Sequence, residues 1–166
     1  MKISFFLFST ATAIALVAPL HAQDKPARIP AGYTAEKVET PEGVSLGVGG
    51  MEFAPDGSLM LCTREGEVWK YVISKKQWSL FADGLHESLG IWIDPKTSET
   101  FVIQRGEITK LVDTDGDGRA DLYQNFNAGW GVTDNYHEYA FGLVRDSKGN
   151  FYGTLNTSLS WPGWAR

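Results

Sequence analysis

Apolar residues along this chain come in short alternating runs, not in stripes of helical spacing. The runs at 50–53, 59–63, 67–72 and 78–81 are each four to six residues long. Between them stand turn-forming clusters such as Pro55-Asp56-Gly57 and Glu65-Gly66, where proline fixes φ and glycine admits positive φ. Alternation of period two predicts strands. In the run 67–72, Val68 and Val72 point one way and Trp69 and Tyr71 the other, so both faces of that strand are expected to be covered.

The same arrangement returns about forty residues later. Strands are predicted at 89–93, 100–104, 107–112 and 122–126, and a third unit opens with 140–145 and 151–155. Arg64-Glu65-Gly66-Glu67-Val68-Trp69-Lys70-Tyr71 aligns with Gln104-Arg105-Gly106-Glu107-Ile108-Thr109-Lys110-Leu111. Gly50 and Gly90, and Pro55 and Pro95, keep that offset. A repeat of about 40 residues with four short strands is the pattern of a β-propeller. The expected fold class is therefore all-β, with about two and a half blades in units near 50–82, 89–127 and 140–166. Closure of even a small propeller takes roughly 160 residues of blade, so the repeat is expected to continue after Arg166. Within 23–45, a lead-in, the stretch 33–39 is a candidate ring-closing strand. A β-sandwich or a short solenoid is the alternative architecture.

Residues 1–22 read as an export signal: Lys2, an apolar run over 5–17, then Pro19 and a small residue, Ala22, before the expected cleavage point. The run is shorter than the roughly 20 residues that span a bilayer, so a periplasmic or secreted product with no transmembrane span after cleavage is expected. An uncleaved anchor is the competing reading. Cys62 is the only cysteine, which rules out an internal disulfide; between Leu61 and Thr63 it reads as a small buried strand residue. The net charge of −5, with no basic stripe, argues against nucleic acid as a partner.

Two stretches carry chemistry. In Asp113-Thr114-Asp115-Gly116-Asp117-Gly118-Arg119-Ala120-Asp121, carboxylates alternate and a glycine follows. Such a loop can turn its side chains onto one point, and a hard cation such as Ca²⁺ seeks six to eight oxygens. Asp113, Asp115, Asp117, the Arg119 carbonyl and Asp121 are the expected metal ligands. An EF-hand would place a glutamate where Gln124 stands, so this is an EF-hand-like loop between strands, with a structural role expected. The plain alternative is a solvated Asp/Gly turn, against which four crowded carboxylates would repel one another without a cation.

The second stretch, 127–142, leads into the first strand of the third unit. His137, Glu138, Asp134 and Arg145 bring an imidazole, two carboxylates and a guanidinium close in sequence, and Trp130, Tyr136 and Tyr139 offer flat rings. His137 is the candidate catalytic base. The plain readings are a loop histidine bonded to Glu138 or backbone, packing roles for Trp130 and Tyr139, and an ordinary loop residue for His86.

Tyr136-His137-Glu138-Tyr139-Ala140-Phe141-Gly142, then Arg145-Asp146 and Gly149-Asn150-Phe151-Tyr152-Gly153-Thr154-Leu155-Asn156, resembles the glucose/sorbosone dehydrogenase-like propellers, in particular their membrane-bound dehydrogenase-type branch. The resemblance implies a six-bladed propeller and a pyrroloquinoline quinone (PQQ)-dependent sugar, alcohol or aldehyde dehydrogenase, with His137 as base. It further implies a small sugar or alcohol substrate and a cytochrome c as electron acceptor. The family's basic cofactor-clamping residues belong to later blades, so the cofactor-binding residues are unassigned and the fragment alone is expected to be inactive. The alternative function is a non-catalytic propeller that binds carbohydrate or protein at the same mouth.

Overall fold

The strands follow one another along the chain in the order the alternating pattern predicts. The computed structural model describes residues 28–133 and 137–156. The export signal expected at 1–22 and the end of the third unit, 157–166, lie outside the described residues. Two compact units divide the chain, one ending at Val38 and the other starting at Glu39. In the first, the described residues make a turn in which the Tyr33 amide donates to the Pro30 carbonyl at 3.2 Å. The strand expected at 33–39 is not formed. Charged Glu36, Lys37 and Glu39 interrupt its alternation.

The second unit holds ten strands among the described residues and no α-helix. They are β1 (Val48–Phe53), β2 (Leu59–Thr63), β3 (Val68–Val72), β4 (Gln77–Ala82), β5 (Gly90–Ile93), β6 (Thr100–Gln104), β7 (Glu107–Val112), β8 (Leu122–Asn127), β9 (Ala140–Arg145) and β10 (Phe151–Leu155). Each lies within two residues of its expected position. One 3-10 turn, Ile73–Lys75, links β3 to β4. Pairing is antiparallel throughout: β1-β2-β3-β4, β5-β6-β7-β8 and β9-β10 form three sheets, which close no ring among the described residues.

The second sheet is packed on both faces. Ile91, Ile93, Val102 and Leu111 join Met60, Cys62 and Val68 of the first sheet in one core. Phe101, Ile103 and Ile108 turn the other way and meet Ala140 and Leu143 of β9 in a second core. This is period two at work: neighbours on β6 feed opposite cores. Each buried side chain of this size contributes about 1.5–3 kcal/mol. Cys62 is fully buried in the first core, as expected of a small strand residue. On the opposite face of the first sheet Leu61 and Tyr71 are buried as well, so both faces of β3 are covered as expected, whereas Met51 and Phe53 stand 61% exposed on β1.

Glycines set the spacing of the sheets. β1 lies against β5, and β5 against β9. A Cβ on Gly50 would lie 3.0 Å from the Gly90 Cα, and one on Gly90 would lie 2.7 Å from the Gly142 carbonyl carbon. The first strands of the three sheets therefore meet backbone to backbone. The outer strand β8, by contrast, is exposed along its whole length. Among the described residues no helix is long and apolar enough to cross a membrane.

Candidate functional site

The loop between β7 and β8 is shaped by its own aspartates. The Asp113 carboxylate accepts the Gly116 amide at 2.8 Å through Oδ1 and the Gly118 amide at 2.9 Å through Oδ2. Gly116 and Gly118 hold φ of +79° and +91°, the left-handed region this coil requires. Asp115 Oδ1 accepts from the Asp117 amide at 3.2 Å, and Asp117 Oδ1 from the Arg119 amide at 2.8 Å. As a result one carboxylate oxygen from each of Asp113, Asp115 and Asp117 lies within 4.8 Å of the others. Oxygens sharing one Ca²⁺ at about 2.3–2.6 Å stand at most about 5 Å apart, so the three fit a single ion.

Asp121 is placed differently. Its carboxylate accepts the Thr114 amide at 3.0 Å and the Thr114 hydroxyl at 2.5 Å. Those bonds, the hydroxyl's first, hold its carboxyl below the usual carboxylate range. Asp121 thus ties the loop shut across its neck. Arg119 directs its guanidinium to Asp83, 2.5 Å away. Beside it the Ala120 amide donates to the Phe81 carbonyl at 2.7 Å, and the Tyr123 hydroxyl donates to the Asp83 carbonyl at 2.9 Å. The far side of the loop is thereby fastened to the end of β4, the outer strand of the first sheet.

The histidine segment ends on the opposite face. His137 is exposed immediately before β9, and its backbone carbonyl accepts from the Tyr139 amide and the Asn156 side chain. Glu138 is committed to the loop itself, accepting the Thr133 amide at 2.7 Å and hydroxyl at 2.9 Å. Arg145 stands at the far end of β9, about 17 Å along an extended strand from its start, where it lies 5.0 Å from the ring centres of both Trp92 and Phe151. The residues grouped by sequence are thus drawn apart. Asp134 and Tyr136 lie outside the described residues. Trp130 donates its indole N–H to the Arg105 carbonyl at 2.9 Å and packs on the second core.

A cluster that the sequence did not announce sits near this segment. Glu87 adopts φ +52°, unusual for a residue with a Cβ. Its carboxylate lies 3.7 Å from Arg64 Nε, 3.5 Å from Arg105 Nη1 and 3.9 Å from His86 Nε2. Its Oε2 is buried and accepts no hydrogen bond among the described residues. Arg64 in turn donates to the Tyr139 hydroxyl at 3.2 Å and lies against that ring. A glutamate in a loop carries no periodic signal, so only the folded geometry reveals the group.

No family model matches the chain, and no solved structure matches it. The chain is similar to the glycine betaine-binding periplasmic protein OusX of Dickeya dadantii (strain 3937), 40% identical over 82 residues. The match covers 43% of this chain and 24% of that protein, so the chain spans about a quarter of the length of the curated relative it matches.

That finding corrects the functional expectation. Nearly half of the chain matches a protein named for binding glycine betaine, not a sugar oxidoreductase. The glucose/sorbosone dehydrogenase-like assignment is therefore set aside, and with it the PQQ-dependent reaction, the sugar or alcohol substrate and the cytochrome c acceptor. The carbohydrate-binding alternative gains no support from the match either. His137 keeps its exposed place before β9.

Proposed function

We propose that this chain is part of an exported, periplasmic protein that binds a small zwitterionic solute of the glycine betaine class. The similarity to OusX carries the reading. Calorimetric titration of the chain with glycine betaine, with glycine as the control, tests it. Saturable binding of the betaine is expected, and equal or absent heats for both compounds would end the proposal.

A second property is favoured by a separate observation. The convergence of Asp113, Asp115 and Asp117 supports a calcium ion held in the loop between β7 and β8. The Arg119 carbonyl would complete the set, while Asp121 would act through Thr114. Calcium would be structural, cancelling the repulsion of the three carboxylates and stiffening the loop that joins two sheets. Stability would rise with occupancy by mass action. Thermal melts with calcium and with chelator are the test, and coincident curves would exclude the ion.

The sheet arrangement supports a propeller-like radial array. Gly50, Gly90 and Gly142 bring the first strand of each sheet into close approach, as the inner strands of neighbouring blades require.

A further inference from the structure

We propose that two copies of this chain join head to tail, the inner strand of the first sheet in one copy packing on the open face of the third sheet in the other. The proposal goes beyond the solute and calcium readings and rests on neither. Its basis is the register in which the three sheets already pack on one another. Each sheet has a front, turned to the sheet before it, and a back, turned to the sheet after it.

On the front of the second sheet, Ile91 and Ile93 of β5 pair with Val102 and Thr100 and are buried on the first sheet. Met51 and Phe53 of β1 pair with Leu61 and Leu59 in the same register, yet both stand exposed. Farther out on that front Tyr71 is buried, with the Trp78 ring 4.6 Å from its own. The open part is therefore β1. At the back, Glu52 pairs with Met60 and Trp92 with Phe101, and Met60 and Phe101 are each buried by the next sheet. The third member of that series is Val144 paired with Tyr152. These two are 61% and 55% exposed.

The open front and the open back thus repeat the two halves of the interfaces between the sheets. Within one copy they cannot meet, because the second sheet stands between them. A second copy supplies both. The glycines continue the series: Gly50 and Gly90 each face the backbone of the following sheet, while a Cβ on Gly142 would meet nothing within 4 Å. That gap on β9 admits a strand as close as β5 lies to β1. Met51, Phe53 and Tyr152 are also of the residue types enriched at protein interfaces. The Tyr152 hydroxyl is already bonded to Asp146 at 3.0 Å, so covering its ring strands no polar group. Front meets back in both existing interfaces, so the contact is heterologous.

The test is sedimentation velocity on the full chain across micromolar concentrations, with one charge placed on each face. Phe53→Asp spoils the front and leaves the back intact; Val144→Asp does the opposite. The unaltered chain should associate as concentration rises. Each variant alone should be monomeric, its self-association weakened about a hundredfold by a carboxylate in an apolar contact. Mixed in equal amounts, the two variants should form a complex of one copy of each, through the intact back of the first and the intact front of the second. That recovery also shows that both variants are folded.

An unaltered chain that stays monomeric overturns the proposal, whatever the variants do, and leaves the two faces to further sheets of a longer chain or to solvent. Association that survives either substitution overturns it as well, since a front-to-front or back-to-back contact needs only one of the faces. Variants with unchanged urea midpoints that stay apart when mixed also overturn it.

Discussion

Arg119 Nη2 reaches Asp83 Oδ2 at 2.5 Å and so joins the acidic loop of the second sheet to the end of the first. The side chains of this pair are 52% and 50% exposed. Solvent screening limits such a pair to about 1 kcal/mol or less. The backbone bond from Ala120 to Phe81 and the burial of Ala120 in the first core are therefore the stronger fastening.

That ranking gives a prediction. Arg119→Ala should lower the unfolding free energy by less than about 1 kcal/mol, whereas Ala120→Glu, which forces a carboxylate into an apolar contact, should cost several times more. Urea denaturation of both variants decides the order. Equal losses would show that the packed alanine is no stronger a fastening than the ion pair.

Gly90 is the tightest point of the central sheet. A methyl group there would lie 2.7 Å from the Gly142 carbonyl carbon and 2.8 Å from Ile103 Cγ2. Gly90→Ala should destabilise the fold by about 1–3 kcal/mol through overpacking. Gly57→Ala is an informative contrast. That glycine has φ +78° and no neighbour within 4 Å, so its cost comes from backbone strain alone and should be the smaller.

Acid should weaken the fold through Asp56. The Lys70 ammonium, 2.7 Å away, and then the Ser58 hydroxyl and amide hold its carboxyl at about 2, below the ordinary 3.8. The folded value is depressed, so the stabilisation is fully present above the unfolded pKa and disappears as pH falls from about 4 through 2. Because the side chain is 56% exposed, the contribution is less than about 1 kcal/mol. Lys70→Met should move the Asp56 titration, followed by NMR, upward toward 3.8 and flatten the acid limb of stability. No movement would show that Ser58 alone sets the value.

Cys62 should behave as a reporter of unfolding. It is fully buried, and burial pushes its thiol up to about 11, while thiol chemistry proceeds through the thiolate. Alkylation of the native protein at pH 8 should be slow and should accelerate across the urea transition in step with the loss of β-sheet signal. Rapid labelling under native conditions would mean that the core between the first two sheets opens locally.

The strands were legible because period-two alternation survives wherever a sheet has a core on at least one face. Phe101, Val102 and Ile103 alternate between two cores, and the forty-residue offset of Gly50 and Gly90 reflects a true close approach. Tertiary choices were not legible. Spacing placed Asp121 among the metal ligands, yet Thr114 lies nearer to hand and takes both of its oxygens. Proximity in sequence joined His137 to Arg145, yet an extended β9 separates them. Glu87 left no trace, since its left-handed backbone follows from the packing around it. The local resemblance of the stretch around His137 was extended to a whole reaction, whereas the relative is named for binding glycine betaine.

The division of labour in the acidic loop yields the last prediction. Asp115 offers an oxygen to the convergent trio and accepts the Asp117 amide at 3.2 Å. Asp115→Asn should therefore remove most of the calcium-dependent rise in melting temperature while leaving the metal-free melt nearly unchanged, or slightly raised by relief of repulsion. Asp121→Asn should do the reverse. Its carboxylate closes the loop through Thr114, so the metal-free protein should melt lower, and calcium should still bind but more weakly because the loop must be ordered first. Melts with calcium and with chelator, joined to calorimetric titration, separate the two. If both variants lose calcium equally and neither changes the metal-free melt, Asp121 is a direct ligand and the Thr114 bonds give way when the ion enters.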